Sequence, residues 1–353
     1  MKPTNFDTQI YHLQIIQWQY EYGVVPGMAN LFPRFGQGSN WFNLIAFFHI
    51  PFLKHENFAY LNISFVTWFF LWLFANWKYH ITGGGLKQGN RALGFFYFIF
   101  FIFCMYDWQL YRDAANSTNY DFQVTAFIII SISYFFEEIM VNQSRNYFSP
   151  IFVLFVLTII SFKFSGIFIL FLLMYYLTIN RRRRYWLITI AMGLIIIVPV
   201  LIKNYIITGY PLFPQPISFG SPDWQLPKGL ADGNYQYILN YNRFFNYWFM
   251  IGKVEDAPFN WVSYWFKGIQ IQHKIVLIIA LSSFLLFFIN PKSVIKQNRL
   301  KFIIAILLLM IAGWFLTAPD PGRFGYGPLL SAAFIVISLL IGPFMDSKVY
   351  SLI

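Results

Sequence analysis

The chain alternates between long apolar stretches and short polar connections. Nine stretches are apolar and nearly free of charge: residues 57–77, 92–106, 122–140, 148–161, 165–180, 185–203, 274–290, 302–317 and 325–344. A helix needs roughly 17 to 25 apolar residues to cross a bilayer. The pattern therefore predicts an all-α polytopic membrane protein with about nine transmembrane helices. Residues 41–53 are apolar but too short to cross, which favours a re-entrant or interfacial helix.

Basic residues are concentrated in three of the connections. They lie in residues 78–91, in the four consecutive arginines at 181–184 and in residues 290–301. Cytoplasmic connections of membrane proteins are enriched in Lys and Arg. If the nine stretches alternate across the membrane, all three connections fall on one side. We predict this side to be cytoplasmic, together with the C-terminus.

Composition agrees with this topology and narrows the class of protein. Hydrophobic residues make up 58% and charged residues 11% of the 353 positions, whereas soluble domains have about 25% charged residues. The net charge of +11 arises from residues between the apolar stretches, so it predicts membrane orientation and no nucleic-acid partner. The single cysteine, Cys104, excludes an intramolecular disulfide and a cysteine metal site.

The opposite, outer side of this single membrane domain, residues 1–353, receives acidic and aromatic connections. The largest are a first outer segment with amphipathic helices, residues 1–56, and a long outer loop, residues 204–273. Polar groups that converge on one face of a helical bundle are typical of an interfacial active site. Because this topology places the N-terminus outside, we also expect one N-terminal transmembrane helix to be missing from the sequence; the alternative is that residues 1–40 are translocated as a short tail.

Asp7 is the first candidate for chemistry, at the start of an amphipathic segment. A carboxylate just outside the membrane can act as general base for an acceptor hydroxyl or amine. The same position suits a helix N-cap, and the two roles are compatible. Tyr11 lies one turn further on the same helical face, whereas His12 is rotated away from it.

Three further polar positions adjoin apolar stretches. Asp121 begins one directly, where it would serve as a second carboxylate for a metal or for acceptor orientation, or as a cap. Lys163 interrupts an apolar run, where it would bind phosphate or extend its ammonium to water. Tyr210 opens the long outer loop and would lie at the interface, where aromatic belts are common.

The outer connection "APDPGRF", residues 318–324, contains Asp320 and Arg323. An arginine at the interface suits a phosphate, which it can bind through two parallel hydrogen bonds. The alternative is an Asp320–Arg323 ion pair that only fixes the connection. The sequence has no phosphate-binding glycine loop, dinucleotide fingerprint, nucleophile elbow or zinc pattern. It therefore predicts no cofactor and leaves only a divalent metal open.

Two motifs near the N-terminus, "FDTQIYHLQIIQW" and "GVVPGMANLFPRFGQGSNW", resemble a group of bacterial multi-span membrane proteins related to the GT-C fold glycosyltransferases. "YDFQ", "FKFSG", "NYIITGYPLFP" and "PDPGRFGYG" are similar to the same group, so the resemblance extends over nearly the whole chain. It implies a GT-C-like fold and inverting transfer from a lipid-linked sugar donor, such as a polyprenyl-phosphate sugar. The helix that should precede Asp7 is the one departure.

The resemblance also implies roles for individual residues. Asp7 would be the base and Asp121 the second acid, while Arg323 and Lys163 would contact the phosphate. The remaining candidates for substrate binding are Tyr11, His12, Arg34, Tyr210 and Asp320.

The leading hypothesis is a glycosyltransferase of cell-envelope polysaccharide assembly at the outer face of the bacterial inner membrane, with a glycan, lipid or protein acceptor. A second hypothesis is a polymerase or ligase of lipid-linked glycans that uses Arg243 and His273 of the outer loop. A transporter or flippase is less favoured, because few charges lie within the apolar stretches and no repeat is evident.

Overall fold

The computed structural model describes residues 5–49, 58–83, 88–141, 149–179, 181–252, 259–288, 294–317 and 319–342. Its α-helices in chain order are α1 (Leu13–Tyr22), α2 (Asn40–Phe47), α3 (Tyr60–Lys78), α4 (Gln88–Tyr106), α5 (Trp108–Ala115), α6 (Asp121–Val141), α7 (Pro150–Phe162), α8 (Leu170–Ile179), α9 (Arg183–Thr208), α10 (Lys228–Phe244), α11 (Val262–Gly268), α12 (Ile271–Ser282), α13 (Val294–Thr317) and α14 (Tyr326–Ile341). These described residues contain no β-strand, which confirms the predicted all-α class.

Short 3₁₀ or π-helical turns connect or extend several of these helices. They are Thr8–His12, Met28–Asn30, Pro33–Gly36, Tyr79–Gly83, Phe164–Ile169, Phe245–Met250, Ser283–Phe287 and Pro321–Gly325. Two of the π-helical turns adjoin or contain candidate residues, since Asp7 precedes the first and Arg323 lies in the last. Such wide turns are frequent at functional sites.

Each of the nine predicted apolar stretches overlaps one of the α-helices. Among the described residues, three segments are long and apolar enough to cross a membrane: Asp121–Met140, Arg183–Thr208 and Asn298–Thr317. A fourth candidate is the pair Val262–Gly268 and Ile271–Phe287, which bends by 119° at its break. Helices long and apolar enough to cross are what a membrane protein requires. The count of nine crossings stays a prediction, and the predicted cytoplasmic C-terminus lies beyond residue 342, outside the described residues.

The candidate spans differ in where they lie. The apolar window of α6 has a mean hydropathy of 1.4 and is 83% buried, whereas that of α9 has 2.5 and is 17% buried. Gln123 and Ser131 of α6 are fully shielded by other helices, while Leu187 and Ile195 of α9 are exposed. Polar groups are costly against lipid, so the less apolar helix occupies the interior. The central helix α6 thereby carries Asp121 at its first position into the protein.

The first outer segment is attached to the end of α9. The backbone N–H of Gly27 donates to the carbonyl of Ile206 at 2.9 Å, and Nζ of Lys203 donates to the carbonyl of Gly38 at 3.4 Å. The helix ends at Gly209, whose φ of 82° favours a residue without a side chain. A Cβ at this position would also approach Gln225 to 2.5 Å. The N-terminal segment and the long outer loop therefore meet at one end of the helical bundle.

Candidate functional site

A cavity of about 440 Å³ lies where these outer segments meet the helix ends. Six of the nine residues selected from the sequence line it: Asp7, Tyr11, Arg34, Asp121, Asp320 and Arg323. They come from regions far apart in the chain, so the predicted convergence of these six on one face of the bundle is seen. The other three, His12, Lys163 and Tyr210, do not line the cavity and are described below.

Arg323 lies at the centre of the charged side chains. Its Nη2 donates to Oδ2 of Asp7 at 2.8 Å, and its Nε donates to Oδ2 of Asp121 at 3.1 Å. The side chain is 37% exposed, so the guanidinium remains accessible from the cavity. The two acids predicted from the sequence are thus joined through one arginine, whose fork of donors suits two planar oxyanions.

Arg34 contacts the second oxygen of Asp7. Its Nη1 lies 3.5 Å from Oδ1 of Asp7, and its Nη2 donates to the hydroxyl of Tyr237 at 3.2 Å. The guanidinium carbon stands 5.4 Å from the centroid of the Tyr237 ring, within cation–π range. Arg34 belongs to the first outer segment and Tyr237 to α10 of the long outer loop. Both outer segments therefore contribute to one wall of the cavity.

Asp7 is not the helix cap that its position also allowed. Its side chain makes no capping hydrogen bond. Instead, Oδ1 of Asn5 accepts the backbone N–H of Thr8 at 3.2 Å. Asp7 thus directs both carboxylate oxygens to the two arginines.

Lys163 lies behind Asp121, at the break between α7 and the turn Phe164–Ile169. Its Nζ pairs with Oδ1 of Asp121 and donates to the carbonyl of Arg323 at 3.2 Å. The Lys163 and Asp121 side chains are only 10% and 6% exposed. Burial lowers the pKa of Lys163 to about 8, against the opposing effect of the Asp121 carboxylate. We call Asp7, Arg34, Asp121, Lys163 and Arg323 the ionic group.

Asp320 acts on the same turn through the backbone. Its Oδ1 accepts the N–H of Arg323 at 3.2 Å and so caps the turn Pro321–Gly325. The residue is buried, and this burial raises the pKa of its carboxyl group. The alternative that the sequence left open, an Asp320–Arg323 ion pair, is thus a capping bond to the backbone, which fixes the direction of the Arg323 side chain.

Two aromatic candidates of the first outer segment have different positions. Tyr11 lines the cavity with the Arg34 guanidinium carbon 5.8 Å from its ring centroid, and burial raises the pKa of its hydroxyl. His12 faces inward, 1% exposed, with Nδ1 3.2 Å from the hydroxyl of Thr118 and its ring packed against Phe42. Burial lowers the pKa of His12 to about 3. His12 therefore supports the wall from behind as a neutral ring.

Tyr210 is placed away from the cavity. Its side chain is 2% exposed, and its hydroxyl donates to the carbonyl of Leu226 at 3.0 Å. The turn after α9 points the ring into the outer loop instead of toward the candidate site, so the residue holds that loop together.

Sequence reasoning missed a second polar group in the cavity, which we call the hydrogen-bond chain: Asp107, Tyr326 and His273. The hydroxyl of Tyr326 donates to Oδ2 of Asp107 at 2.9 Å and lies 2.9 Å from Nδ1 of His273. All three residues line the cavity. Asp107 directly follows α4, His273 is the third residue of α12, and Tyr326 is the first residue of α14. His273 entered the sequence interpretation only through the ligase alternative, and no spacing links it to the other two.

The carboxylates of the ionic group are not arranged as a metal pair, because the Arg323 guanidinium stands between Asp7 and Asp121. Within the described parts of the chain, no three His, Cys, Asp or Glu side chains are grouped to hold a metal ion. The arrangement instead offers two arginines for an oxyanion and several groups that can accept a proton.

Comparison with known proteins assigns the family. Residues 1–330 match the family described as "Domain of unknown function (DUF8201)", and the chain belongs to it. No curated protein and no solved structure matches the chain significantly. The activity is therefore argued from the site itself.

Proposed function

We propose that the protein is a glycosyltransferase that uses a polyprenyl-phosphate-linked sugar donor at the outer face of the bacterial inner membrane, in cell-envelope glycan assembly. One observation carries this proposal. Arg34 and Arg323 converge on the single carboxylate of Asp7 at the wall of a cavity. A pair of guanidinium groups directed at one oxyanion is suited to a phosphate, which both can bind through parallel hydrogen bonds.

The location of this pair favours a lipid phosphate. The cavity is bordered by the first residues of α6 and α14, which are apolar helices, and α6 is long enough to cross a membrane. A phosphate on a membrane lipid lies at the boundary between apolar helix and polar connection. In the proposal, nine membrane helices in a GT-C-like arrangement place this boundary outside and the C-terminus in the cytoplasm.

The phosphate group would replace Asp7 as the partner of the two arginines. During transfer, the bond between the sugar's anomeric carbon and the phosphate oxygen breaks, and negative charge develops on the leaving lipid phosphate. Arginines fixed in advance stabilise this charge without reorganisation. Asp121 and Lys163 hold Arg323 in place from the buried side.

The acceptor hydroxyl must also lose its proton as its oxygen attacks. The sequence predicts Asp7 in this role. In the ligand-free structure both of its oxygens face arginines, so Asp7 can accept a proton only after the phosphate has taken over both of them.

A polymerase or ligase of lipid-linked glycans is the second candidate. It is favoured by the presence of His273 in the cavity. Its other predicted residue, Arg243, lies with its guanidinium carbon 5.5 Å from the Trp261 ring centroid and is not part of the cavity lining. This alternative would use the same phosphate site with a longer donor.

The proposed function is tested by expressing the chain in a strain that lacks the native gene and profiling lipid-linked and surface glycans. We expect the wild type to change the profile and Arg323→Lys to reduce that change, since a single ammonium cannot reproduce the fork. Arg299→Lys is the matched control, because Arg299 pairs with Glu138 outside the cavity. A glycan change that is equal in wild type and Arg323→Lys would contradict the proposal.

A further inference from the structure

The hydrogen-bond chain can be assigned proton by proton. The carboxylate of Asp107 can only accept, so the single hydroxyl proton of Tyr326 is directed to it at 2.9 Å. The Tyr326 oxygen must then accept from its other neighbour, Nδ1 of His273, also at 2.9 Å. His273 therefore carries its proton on Nδ1, which leaves a basic lone pair on Nε2.

This lone pair belongs to a ring that lines the cavity. In the described part of the chain, Nε2 of His273 has no hydrogen-bond partner. His273 is the third residue of α12, and the positive end of a helix disfavours a second proton on an imidazole there. The ring is thus presented to the cavity as a neutral base.

The ring also lies close to the proposed phosphate site. A Cβ built on Gly322, the residue before Arg323, would stand 3.8 Å from Cε1 of His273. The turn that directs Arg323 to the ionic group therefore borders the imidazole. Asp7 and His273 both line the cavity, so each is a candidate base for an acceptor hydroxyl bound there.

The two bases differ in what already binds them. Both oxygens of Asp7 face guanidinium groups, at 2.8 Å for Arg323 and 3.5 Å for Arg34. Each of these contacts occupies a carboxylate oxygen that would otherwise be open to the acceptor hydroxyl. Nε2 of His273 has no such competitor among the described residues.

We infer that His273, a residue to which no role in the transferase has been assigned, takes the proton of the acceptor hydroxyl; this inference rests on the proposed function. The acceptor O–H bond breaks, and its proton moves to Nε2 of His273. The acceptor oxygen bonds to the anomeric carbon, while the lipid phosphate leaves with the electron pair of the broken bond between that carbon and the phosphate oxygen. Asp107 and Tyr326 are positioning residues that hold the proton on Nδ1 and stabilise the imidazolium. Asp7 holds Arg34 and Arg323 in place for the phosphate.

The test uses the full chain in lipid nanodiscs with a panel of synthetic polyprenyl-phosphate hexoses and acceptor glycans extracted from the host membrane. Release of polyprenyl phosphate measures turnover. We expect His273→Ala to lower kcat roughly 100-fold or more, the usual size of a lost general base, with the KM for donor unchanged. Added imidazole should restore part of the rate, which a merely structural role would not allow. Asp7→Asn should mainly raise the KM for donor.

Lys274→Gln is the control for damage to the start of α12, because the Lys274 ammonium lies over the Phe266 ring. This variant should turn over at the wild-type rate. A folded His273→Ala with the wild-type kcat, or one that imidazole fails to rescue, would overturn the inference. If Asp7→Asn alone abolished kcat while leaving the donor KM unchanged, the base would be Asp7. An inactive wild type across the panel would instead contradict the proposed function, and the inference with it.

Discussion

The ionic group and the hydrogen-bond chain line one cavity but use carboxylates in different ways. In the ionic group, Arg323 is shared by Asp7 and Asp121, and every acid meets a basic side chain. In the hydrogen-bond chain, Asp107 meets a tyrosine hydroxyl, which in turn orders a histidine. In the proposed function, the first arrangement exchanges its anion for a phosphate. The second directs a proton acceptor, His273, to the cavity. The proposal therefore assigns phosphate binding to the ionic group and proton transfer to the hydrogen-bond chain.

The two acids that share Arg323 also differ in how far their side chains are exposed. The Asp7 side chain is 15% exposed and that of Asp121 only 6%. Asp121 is also paired with Lys163, which lies behind the wall and outside the cavity lining. A ligand anion can therefore reach the contacts of Asp7, while those of Asp121 serve to keep Arg323 in position.

The largest effect is expected from Asp121→Asn, which leaves the buried Lys163 without its counter-ion. Removing one member of a buried ion pair costs about 3–5 kcal/mol, so this variant should unfold at a clearly lower temperature in detergent. Adding Lys163→Met should recover much of the loss, since the uncompensated charge is then gone. A single variant as stable as the wild type would show that the pair is not a buried support.

Arg323→Lys should have the next largest effect, on donor binding more than on stability. The lysine retains the charge but cannot donate to Asp7 and Asp121 together. The loss of one hydrogen bond to a charged group is about 1.5–3 kcal/mol, which corresponds to roughly a 10- to 100-fold weaker affinity. Titration with a fluorescent polyprenyl phosphate measures it. An unchanged affinity would place the phosphate elsewhere.

Tyr326→Phe addresses the other half of the comparison. Without the hydroxyl, Asp107 and Nδ1 of His273 lose the bridge between them, and the histidine can place its proton on either nitrogen. We expect turnover to fall about tenfold, less than the roughly 100-fold effect of losing a general base because the imidazole itself remains, with the donor KM preserved. A change in donor KM alone would assign the hydrogen-bond chain to binding instead.

The effect that is smallest at neutral pH concerns His12 behind the ionic group. Its pKa is lowered from 6.5 to about 3 in the folded state, so below pH 6.5 the unfolded chain binds a proton that the folded chain does not. Stability should therefore fall as the pH decreases from about 6.5 toward 3, by at most about 1.4 kcal/mol per pH unit. Thermal unfolding of His12→Asn should show a shallower pH dependence; an identical slope would assign the acid sensitivity to other groups.

Residue type and position along the chain were sufficient for part of the site. Asp7, Asp121 and Arg323 are charged residues beside apolar stretches, where an unused charge would be costly, and all three meet in the cavity. The helices were predictable because each apolar stretch is nearly free of charge and is bounded by polar connections.

The rest depends on packing between distant parts of the chain. His273 and Asp107 are connected through the hydroxyl of Tyr326, which lies between these two residues because α12 and α14 pack side by side. No local sequence pattern predicts that these three residues meet. Tyr210 was selected for its interfacial position, yet the conformation of the turn after α9 decides that its hydroxyl meets Leu226. The sequence also does not indicate how far a side chain lies from the cavity. Lys163 lies behind Asp121 and is not part of the cavity lining.

The proposed function depends first on whether the arginines of the ionic group bind a lipid phosphate. The most direct measurement compares binding of undecaprenyl phosphate and of uncharged undecaprenol to the full chain in nanodiscs. We predict tighter binding of the phosphate, a loss of that preference in Arg34→Gln and Arg323→Lys, and its retention in Arg299→Lys. Equal binding of the two lipids by the wild type, or a preference that survives in both cavity variants, would contradict phosphate binding by these two arginines.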